Sequence, residues 1–364
     1  MKQNKFLLSG GGTGGHIFPA ISIADELCKK FPSSEILFVG SSQRMEMQKI
    51  PESGYRIKGI WISGIKRKLH FSNLLIPLKI ISSLIKSFLI INKFKPDFVI
   101  GTGGFASGPL VFVASKLKIP TLIQEQNSYP GLTNKILSKT VDLICVAYSN
   151  MDKYFPKSKI VFTGNPIRKE IRNPFKSKNE SLEQFKMGTS KKTLLVLGGS
   201  LGAQKINNFI SNNIDLFKSM QIQIIWQCGK IYYNQYKKHN SNEVNVQPFI
   251  KDMNSVYSAA DFIVSRSGAS VISELCIVGK PVIFIPSPNL AEDHQTKNAL
   301  FIKQNNAAEM VEEKHLEKDF FDVLKKLVSN NEYALKLSKK IKVLEKPNAT
   351  NEIVELIEKA LSDV

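Results

Sequence analysis

Five histidines occur in the 364 residues. One of them, His16, closes the run Ser9-Gly10-Gly11-Gly12-Thr13-Gly14-Gly15-His16, directly behind the apolar Phe6-Leu7-Leu8. A ring at a helix start meets the positive end of the helix dipole, which disfavours imidazolium and leaves a neutral base able to take a proton. A local helix cap and a general base are both open to it, and it is the best general-base candidate in the chain. Two more glycine clusters follow apolar runs: Gly101-Thr102-Gly103-Gly104-Phe105 after Phe98-Val99-Ile100, and Gly198-Gly199-Ser200-Leu201-Gly202 after Thr193 to Leu197. Glycine lets a ligand approach the backbone, and the helix that follows offers N–H groups and partial positive charge. The chemistry expected there is the holding of phosphate or sugar.

A further small-residue turn, Ser265-Arg266-Ser267-Gly268-Ala269-Ser270-Val271-Ile272-Ser273-Glu274, follows Phe262 to Val264. It opens a helix whose first N–H groups suit a diphosphate. Glu274, about one turn inside, can accept two hydrogen bonds from ribose hydroxyls or simply complement the helix dipole. The polar cluster Glu292-Asp293-His294-Gln295-Thr296-Lys297-Asn298 can read sugar hydroxyls or be a solvated helix start.

Other chemistries are disfavoured. Gly10, Gly12 and Gly15 fit G-x-G-x-x-G, yet the second strand ends Phe38-Val39-Gly40-Ser41-Ser42 without the carboxylate a dinucleotide ribose needs. Gly279-Lys280 is followed by Pro281, so no Walker A loop is formed. No D-x-D occurs, so neither a carboxylate-held metal nor a cofactor is expected, and Arg168 with a helix N-terminus can take the metal's place. The cysteines (Cys28, Cys145, Cys228, Cys276) form no CxxC pair and read as inert thiols of a reducing cytoplasm. A net charge of +19 invites a nucleic-acid reading, but 44 lysines against 6 arginines lack the forked donor that reads phosphates and bases. Nucleic acid is therefore not expected as a partner. No N-terminal signal peptide is visible.

These residues need elements to position them. Apolar runs alternate with helical patterns throughout: Phe6–Leu8, Ile36–Val39, Phe98–Ile100, Thr121–Ile123, Leu143–Val146 and Ile160–Phe162, then Thr193–Leu197, Ile222–Trp226, Val244–Val246, Phe262–Val264, Pro281–Ile285 and Ala308–Val311. Strands separated by helix-length segments predict an α/β chain of βαβ units, two doubly wound Rossmann-like domains with parallel sheets facing a central cleft. Ligands then sit at the carboxyl ends of the strands, where all three glycine clusters fall. The break is expected near Gly164-Asn165-Pro166, giving domains 1–164 and 165–345, with a last helix in 346–364 crossing back to the first.

Residues 53 to 96 carry nine Lys or Arg and no acid. Within them, Lys79, Lys86 and Lys93 are seven apart and share one helical stripe with Ser82 and Ser83, while Ile81, Leu84, Ile85 and Phe88 lie opposite. Two lysines and a proline argue against a spanning helix. Two readings stay open: a helix packed on the sheet, or an apolar patch ringed by lysines on an anionic membrane.

Seven motifs in order then resemble the MurG family of peptidoglycan N-acetylglucosaminyltransferases. They are Gly11-Gly12-Thr13-Gly14-Gly15-His16-Ile17-Phe18-Pro19-Ala20, Gly103-Gly104-Phe105-Ala106-Ser107-Gly108-Pro109, Glu125-Gln126-Asn127, Gly164-Asn165-Pro166-Ile167-Arg168, Gly198-Gly199-Ser200-Leu201-Gly202-Ala203, Ser265-Arg266-Ser267-Gly268-Ala269 and Asp293-His294-Gln295-Thr296-Lys297-Asn298-Ala299. The resemblance implies a GT-B fold and inverting transfer of N-acetylglucosamine from UDP-GlcNAc to the 4-hydroxyl of undecaprenyl-pyrophosphoryl-MurNAc-pentapeptide (lipid I), giving lipid II. It implies His16 as base. It places Ser200 and Arg168 on the donor diphosphate, Ile250 on the uracil, and Ala269, Ser270, Val271, Ile272, Ser273 and Glu274 on phosphate and ribose. Gln295, Asn127, Thr13, Gly14 and Gly15 contact the sugar, and Gly14, Gly15, Gly103 and Gly104 receive the acceptor pyrophosphate. A patch of Lys79, Leu84, Ile85, Lys86 and Phe88 meets the inner membrane from its cytoplasmic face. Ser270-Val271-Ile272 departs from the threonine-containing helix start common in the family. A UDP-GlcNAc 2-epimerase-like isomerase and a diacylglycerol glycosyltransferase are the alternatives on this fold. The first needs several carboxylates near the sugar, and the His16 loop with Glu125-Gln126-Asn127 argues against the second.

Overall fold

A computed structural model of the protein describes residues 3–64, 74–167, 171, 175–199, 201–288 and 293–362. Arg168 and Ser200 lie outside the described residues. The chain divides into two compact units, Met1–Ile167 with Lys346–Val364, and Arg168–Glu345.

In the first unit, β1 (Lys5–Ser9), β2 (Glu35–Ser41), β3 (Arg56–Ile60), β4 (Phe98–Gly101), β5 (Thr121–Glu125), β6 (Leu143–Val146) and β7 (Ile160–Phe162) form one sheet in the order β3-β2-β1-β4-β5-β6-β7. All its pairings are parallel. Both faces of β1 and β4 are covered, and Phe6, Leu7, Leu8, Phe98, Val99 and Ile100 are fully buried, which is why these strands read as unbroken apolar runs. Helices α1 (Gly14–Lys30), α2 (Glu46–Glu52), α3 (Ile76–Phe94), α4 (Ser107–Lys116) and α5 (Leu132–Leu137) connect them. The C-terminal helix Ala349–Ser362 packs on α1, adding Ile353, Val354 and Ile357 to the core that holds Ile17 and Ile23. The strand order reverses between β1 and β4, which opens a crevice at their carboxyl ends.

The second unit repeats this pattern. β8 (Lys192–Leu197), β9 (Ile222–Gln227), β10 (Val244–Gln247), β11 (Phe262–Ser265), β12 (Val282–Phe284) and β13 (Glu309–Met310) pair in parallel in the order β10-β9-β8-β11-β12-β13. Here the reversal lies between β8 and β11. Trp226, Phe209, Phe217 and Phe320 fill the core on one side. Burial pushes the thiols of Cys145 and Cys276 up to about 12 and that of Cys228 to about 11, so all three are inert at neutral pH.

Two sequence expectations are corrected. β3 is an unpredicted strand, and Ser83 does not share an outward stripe with the lysines. Ser83 and Ser87 are fully buried, whereas Leu78, Ile81, Ile85, Phe88 and Leu89 of α3 are exposed, Ile85 by 57%. Leu84 is half-buried, Lys86 and Lys93 are exposed, and Lys79 is half-buried, its Nζ donating to Ser63 Oγ at 2.8 Å beside the Trp61 ring. No helix among the described residues is long and apolar enough to cross a membrane.

Candidate active site

The first two glycine clusters meet across the reversal between β1 and β4. The Thr102 amide donates to the Ser9 carbonyl (2.8 Å), and its hydroxyl donates to the carbonyl of His16 (2.7 Å). The Gly11 amide donates to the Gly103 carbonyl at 3.3 Å. Contact is so close that a Cβ on Gly104 would stand 2.2 Å from the Gly11 carbonyl oxygen, and Gly104 also has φ +83°. Glycine is required there on both counts.

His16 sits in the first turn of α1, half-buried. Its Nδ1 lies 2.9 Å from the Gly11 carbonyl oxygen. A carbonyl only accepts, so Nδ1 carries the proton and Nε2 carries the lone pair. That Nε2 borders Gly103, 3.1 Å from where a Cβ would be. The structure therefore sets the tautomer a general base needs.

Three buried side chains hold these loops, and of them only Glu46 lies outside the motifs picked out in the sequence. Glu46, from α2, is fully buried and accepts from the amides of Gly12 and Ser41, both at 3.0 Å. The missing ribose carboxylate of β2 is thus followed by one that reaches the glycine loop as a backbone anchor. Glu125 accepts from the Asn127 amide (3.0 Å), Asn127 Nδ2 (3.2 Å), the Gly131 amide (3.2 Å) and Asn134 Nδ2 (2.8 Å), fixing the loop that presents Asn127. Burial pushes its carboxyl above the usual range, and these donors oppose the rise. Gln126 donates to the Thr102 carbonyl, Gln124 donates to Asn165 Oδ1 (2.8 Å), and Asn165 Nδ2 donates to the Gln126 carbonyl (3.1 Å). A buried amide network thus ties β5 to the second glycine cluster and to Asn165. The motif Glu125-Gln126-Asn127 was visible, but only burial shows which members are anchors.

In the second unit the candidates stand at the carboxyl ends of β8, β10, β11 and β12. Ala269 to Glu274 open the helix Ala269–Val278 behind Gly268. Ser273 Oγ turns back to the Ala269 carbonyl (3.2 Å), while Ser270 Oγ is buried with no partner among the described residues. Glu274 is buried and accepts from the Tyr257 hydroxyl at 3.2 Å. Ile250 is buried, and its amide donates to Gln227 Oε1 (2.8 Å), while Gln227 Nε2 donates to the Gly199 carbonyl (3.1 Å). One unpredicted glutamine thereby links the Ile250 segment to the third glycine cluster. Gln295 accepts at Oε1 from the Ser287 amide (2.9 Å) and at its carbonyl from Ser267 Oγ (2.8 Å). Arg266 turns inward, donating to the Ile285 carbonyl (3.0 Å) and pairing with Glu313, so it braces the turn after β11.

Comparison with known proteins agrees with this architecture. Residues 6–146 match the glycosyltransferase family 28 N-terminal domain, and residues 193–353 match the glycosyltransferase family 28 C-terminal domain. A UDP-N-acetylglucosamine–N-acetylmuramyl-(pentapeptide) pyrophosphoryl-undecaprenol N-acetylglucosamine transferase of Flavobacterium psychrophilum is 55% identical over 98% of both chains. That of Christiangramia forsetii is 51% identical over 100% of both. The crystal structure of Acinetobacter baumannii MurG superposes with a TM-score of 0.79 at 29% identity, covering 98% of this chain and 100% of that one. A UDP-N-acetylglucosamine 2-epimerase shares only the fold, at 16% identity and a TM-score of 0.66. With both family domains matched and full-length relatives at this identity, the chain belongs to glycosyltransferase family 28, in its MurG branch, and its fold is GT-B.

Proposed function

We propose that the protein transfers N-acetylglucosamine, with inversion, from UDP-GlcNAc to the 4-hydroxyl of MurNAc in undecaprenyl-pyrophosphoryl-MurNAc-pentapeptide. The observation that carries the chemical step is the bond from His16 Nδ1 to the Gly11 carbonyl, which leaves the lone pair on Nε2 beside Gly103. The hydroxyl proton passes to Nε2 while its oxygen forms the new bond to C1 of the donor sugar. The C1–O bond to the diphosphate breaks, and its electron pair leaves with UDP. The opening N–H groups of the helix Ala269–Val278, with Ser270 Oγ, meet the charge that develops on the leaving diphosphate. Arg168 and Ser200 are assigned to the same diphosphate by family resemblance. Ile250 is assigned to the uracil, Glu274 to the ribose, and Gln295, Asn127 and Thr13 to the sugar. In the acceptor loops the amides of Gly11 and Gly12 are already engaged, by Gly103 and Glu46. The first-turn amides of Gly14 and Gly15 are the ones left for the acceptor pyrophosphate, with Gly103 and Gly104 opposite.

The exposed apolar face of α3, flanked by Lys86 and Lys93, is read as a peripheral contact with the anionic inner leaflet on the cytoplasmic side. It brings a lipid-linked acceptor to the unit that carries His16. The test is transfer of labelled N-acetylglucosamine to a short-chain lipid I analogue, with UDP release followed in parallel. Acceptor-dependent transfer that falls about 10²–10⁴-fold in His16→Ala, with donor affinity intact, is the expected result. Turnover unchanged in His16→Ala removes His16 from the base role.

A further inference from the structure

Gln126 follows β5 and is 1% exposed. Its Nε2 donates to two backbone carbonyls, those of Thr102 (2.7 Å) and Gln124 (3.0 Å). Backbone carbonyls only accept, so the amide cannot be flipped: the nitrogen must face them and Oε1 must face away. That Oε1 is buried and has no hydrogen-bond partner among the described residues. A buried acceptor without a donor costs stability, and such an atom calls for a role. Its neighbourhood supplies one. A Cβ on Gly103 would stand 3.6 Å from Gln126 Oε1, 3.1 Å from His16 Nε2 and 2.9 Å from His16 Cδ2. The side chain that Gly103 lacks leaves one small gap, bordered by the glutamine oxygen and by the reactive edge of the imidazole.

While His16 is neutral, both atoms on that gap are acceptors, because the ring's proton is engaged at the Gly11 carbonyl. Protonation of Nε2 turns one of them into a donor. We propose that Gln126 is a positioning residue for the transfer step, its Oε1 being the acceptor kept for the Nε2–H of the His16 imidazolium. This rests on the reading of His16 as the base. The proton that leaves the acceptor hydroxyl arrives on Nε2, and a tilt of the ring or one bridging water then closes the gap to Oε1. A hydrogen bond made only after proton transfer stabilises the charge-separated transition state and not the ground state, which is how such a group raises kcat without tightening substrate binding. Among the described residues, the carboxylates that hold the surrounding loops are Glu46 of α2 and Glu125 of β5. Both remain in place in the variants below and form a constant background.

The test is an NMR titration of the His16 ring protons in the full chain, assigned with His16→Gln, for wild type, Gln126→Met and Gln126→Glu. Both variants lose the amide's donations to the Thr102 and Gln124 carbonyls and to Gln124 Oε1, so a purely structural role moves them alike. The proposal expects opposite shifts. Without an acceptor, in Gln126→Met, His16 titrates about one pH unit lower, and the acid limb of kcat/KM moves down with it. With an anionic acceptor, in Gln126→Glu, both move up. In Gln126→Met kcat falls roughly tenfold while KM for UDP-GlcNAc stays constant. Shifts in the same direction, or none, overturn the proposal. If only Gln126→Glu folds, an unshifted or lowered His16 titration in that variant overturns it. The titration is read without turnover, so failure of the base assignment, seen as full activity of His16→Ala, is a separate result.

Discussion

Gly12 and Gly104 offer a controlled comparison inside one site. Both have positive φ, +86° and +83°, so an alanine at either meets similar backbone strain, about 1–2 kcal/mol. Their surroundings differ. A Cβ on Gly12 meets nothing within 4 Å, whereas one on Gly104 lies 2.2 Å from the Gly11 carbonyl oxygen and 2.9 Å from its carbon. Relief requires the two loops to part by ~1 Å, since the obstacle is backbone and not the tip of a flexible side chain. Parting strains the bond from the Gly11 amide to Gly103 and the bond from His16 Nδ1 to Gly11, each worth about 1 kcal/mol. The expected cost is therefore about 1–2 kcal/mol for Gly12→Ala and about 3–4 kcal/mol for Gly104→Ala. A difference of about 2 kcal/mol corresponds to roughly 4–8 °C in Tm for a unit of this size. Turnover separates further, because a base displaced by ~1 Å loses about a hundredfold in rate. Thermal unfolding and initial rates at saturating substrates measure both. Equal losses in the two variants would refute the claim that backbone contact between the loops positions His16.

Glu46→Gln keeps one acceptor oxygen but turns an N–H toward either the Gly12 or the Ser41 amide. It should cost about 1.5–3 kcal/mol and lower kcat more than KM, which denaturant unfolding and steady-state kinetics can check. On α3, Ile85→Ser should leave Tm within about 1 °C and weaken binding to anionic vesicles about tenfold, whereas Ser83→Leu should destabilise by about 1–3 kcal/mol through overpacking. Vesicle sedimentation beside calorimetry reads the pair, and the reverse pattern sinks the membrane reading. Burial pushes the Asp252 carboxyl up, but Lys176, Ser255 and Gln184 outweigh it and hold the group well below the usual carboxylate range. Its stabilisation is then fully present above the unfolded-state value of about 4 and is lost as pH falls below it. Asp252 caps the helix Met253–Ala259 that carries Tyr257 toward Glu274. Asp252→Asn should lower Tm at pH 7 and flatten its fall below about pH 4.

Among the described residues, twelve of thirteen strands were legible, the central ones because a strand covered on both faces must be apolar at every position. β3 was not, because Arg56-Ile57-Lys58-Gly59-Ile60 is an edge strand with little of it buried and with two basic residues and a glycine breaking its apolar run. Strand order was illegible for a different reason, being set by contacts between distant segments. Yet that order is what brings the loop after β1 against the loop after β4. The site divides in the same way. His16, Gly103 and the turn at Gly268 announce themselves by residue type. Glu46, Gln124 and Gln227 do not, since an acid or amide gains its role only from the particular groups it meets once buried.

The helix α3 shows where pattern reading reaches its limit. Periodicity divides it into a polar and an apolar face, and the usual rule turns the apolar face inward. Here Ser83 and Ser87 face inward, and α3 packs closely along α4. Small side chains permit that approach, and Ser83 satisfies its hydroxyl on the Ile80 carbonyl at 2.8 Å, so burying it costs little. The last turns of the helix do bury Ile90, Ile91 and Phe94, but along the earlier turns Leu78, Ile81, Ile85 and Leu89 follow one another on the outside at helical spacing. On the membrane reading proposed above, an anionic surface covers this face, with the apolar residues entering it and Lys86 and Lys93 meeting its headgroups.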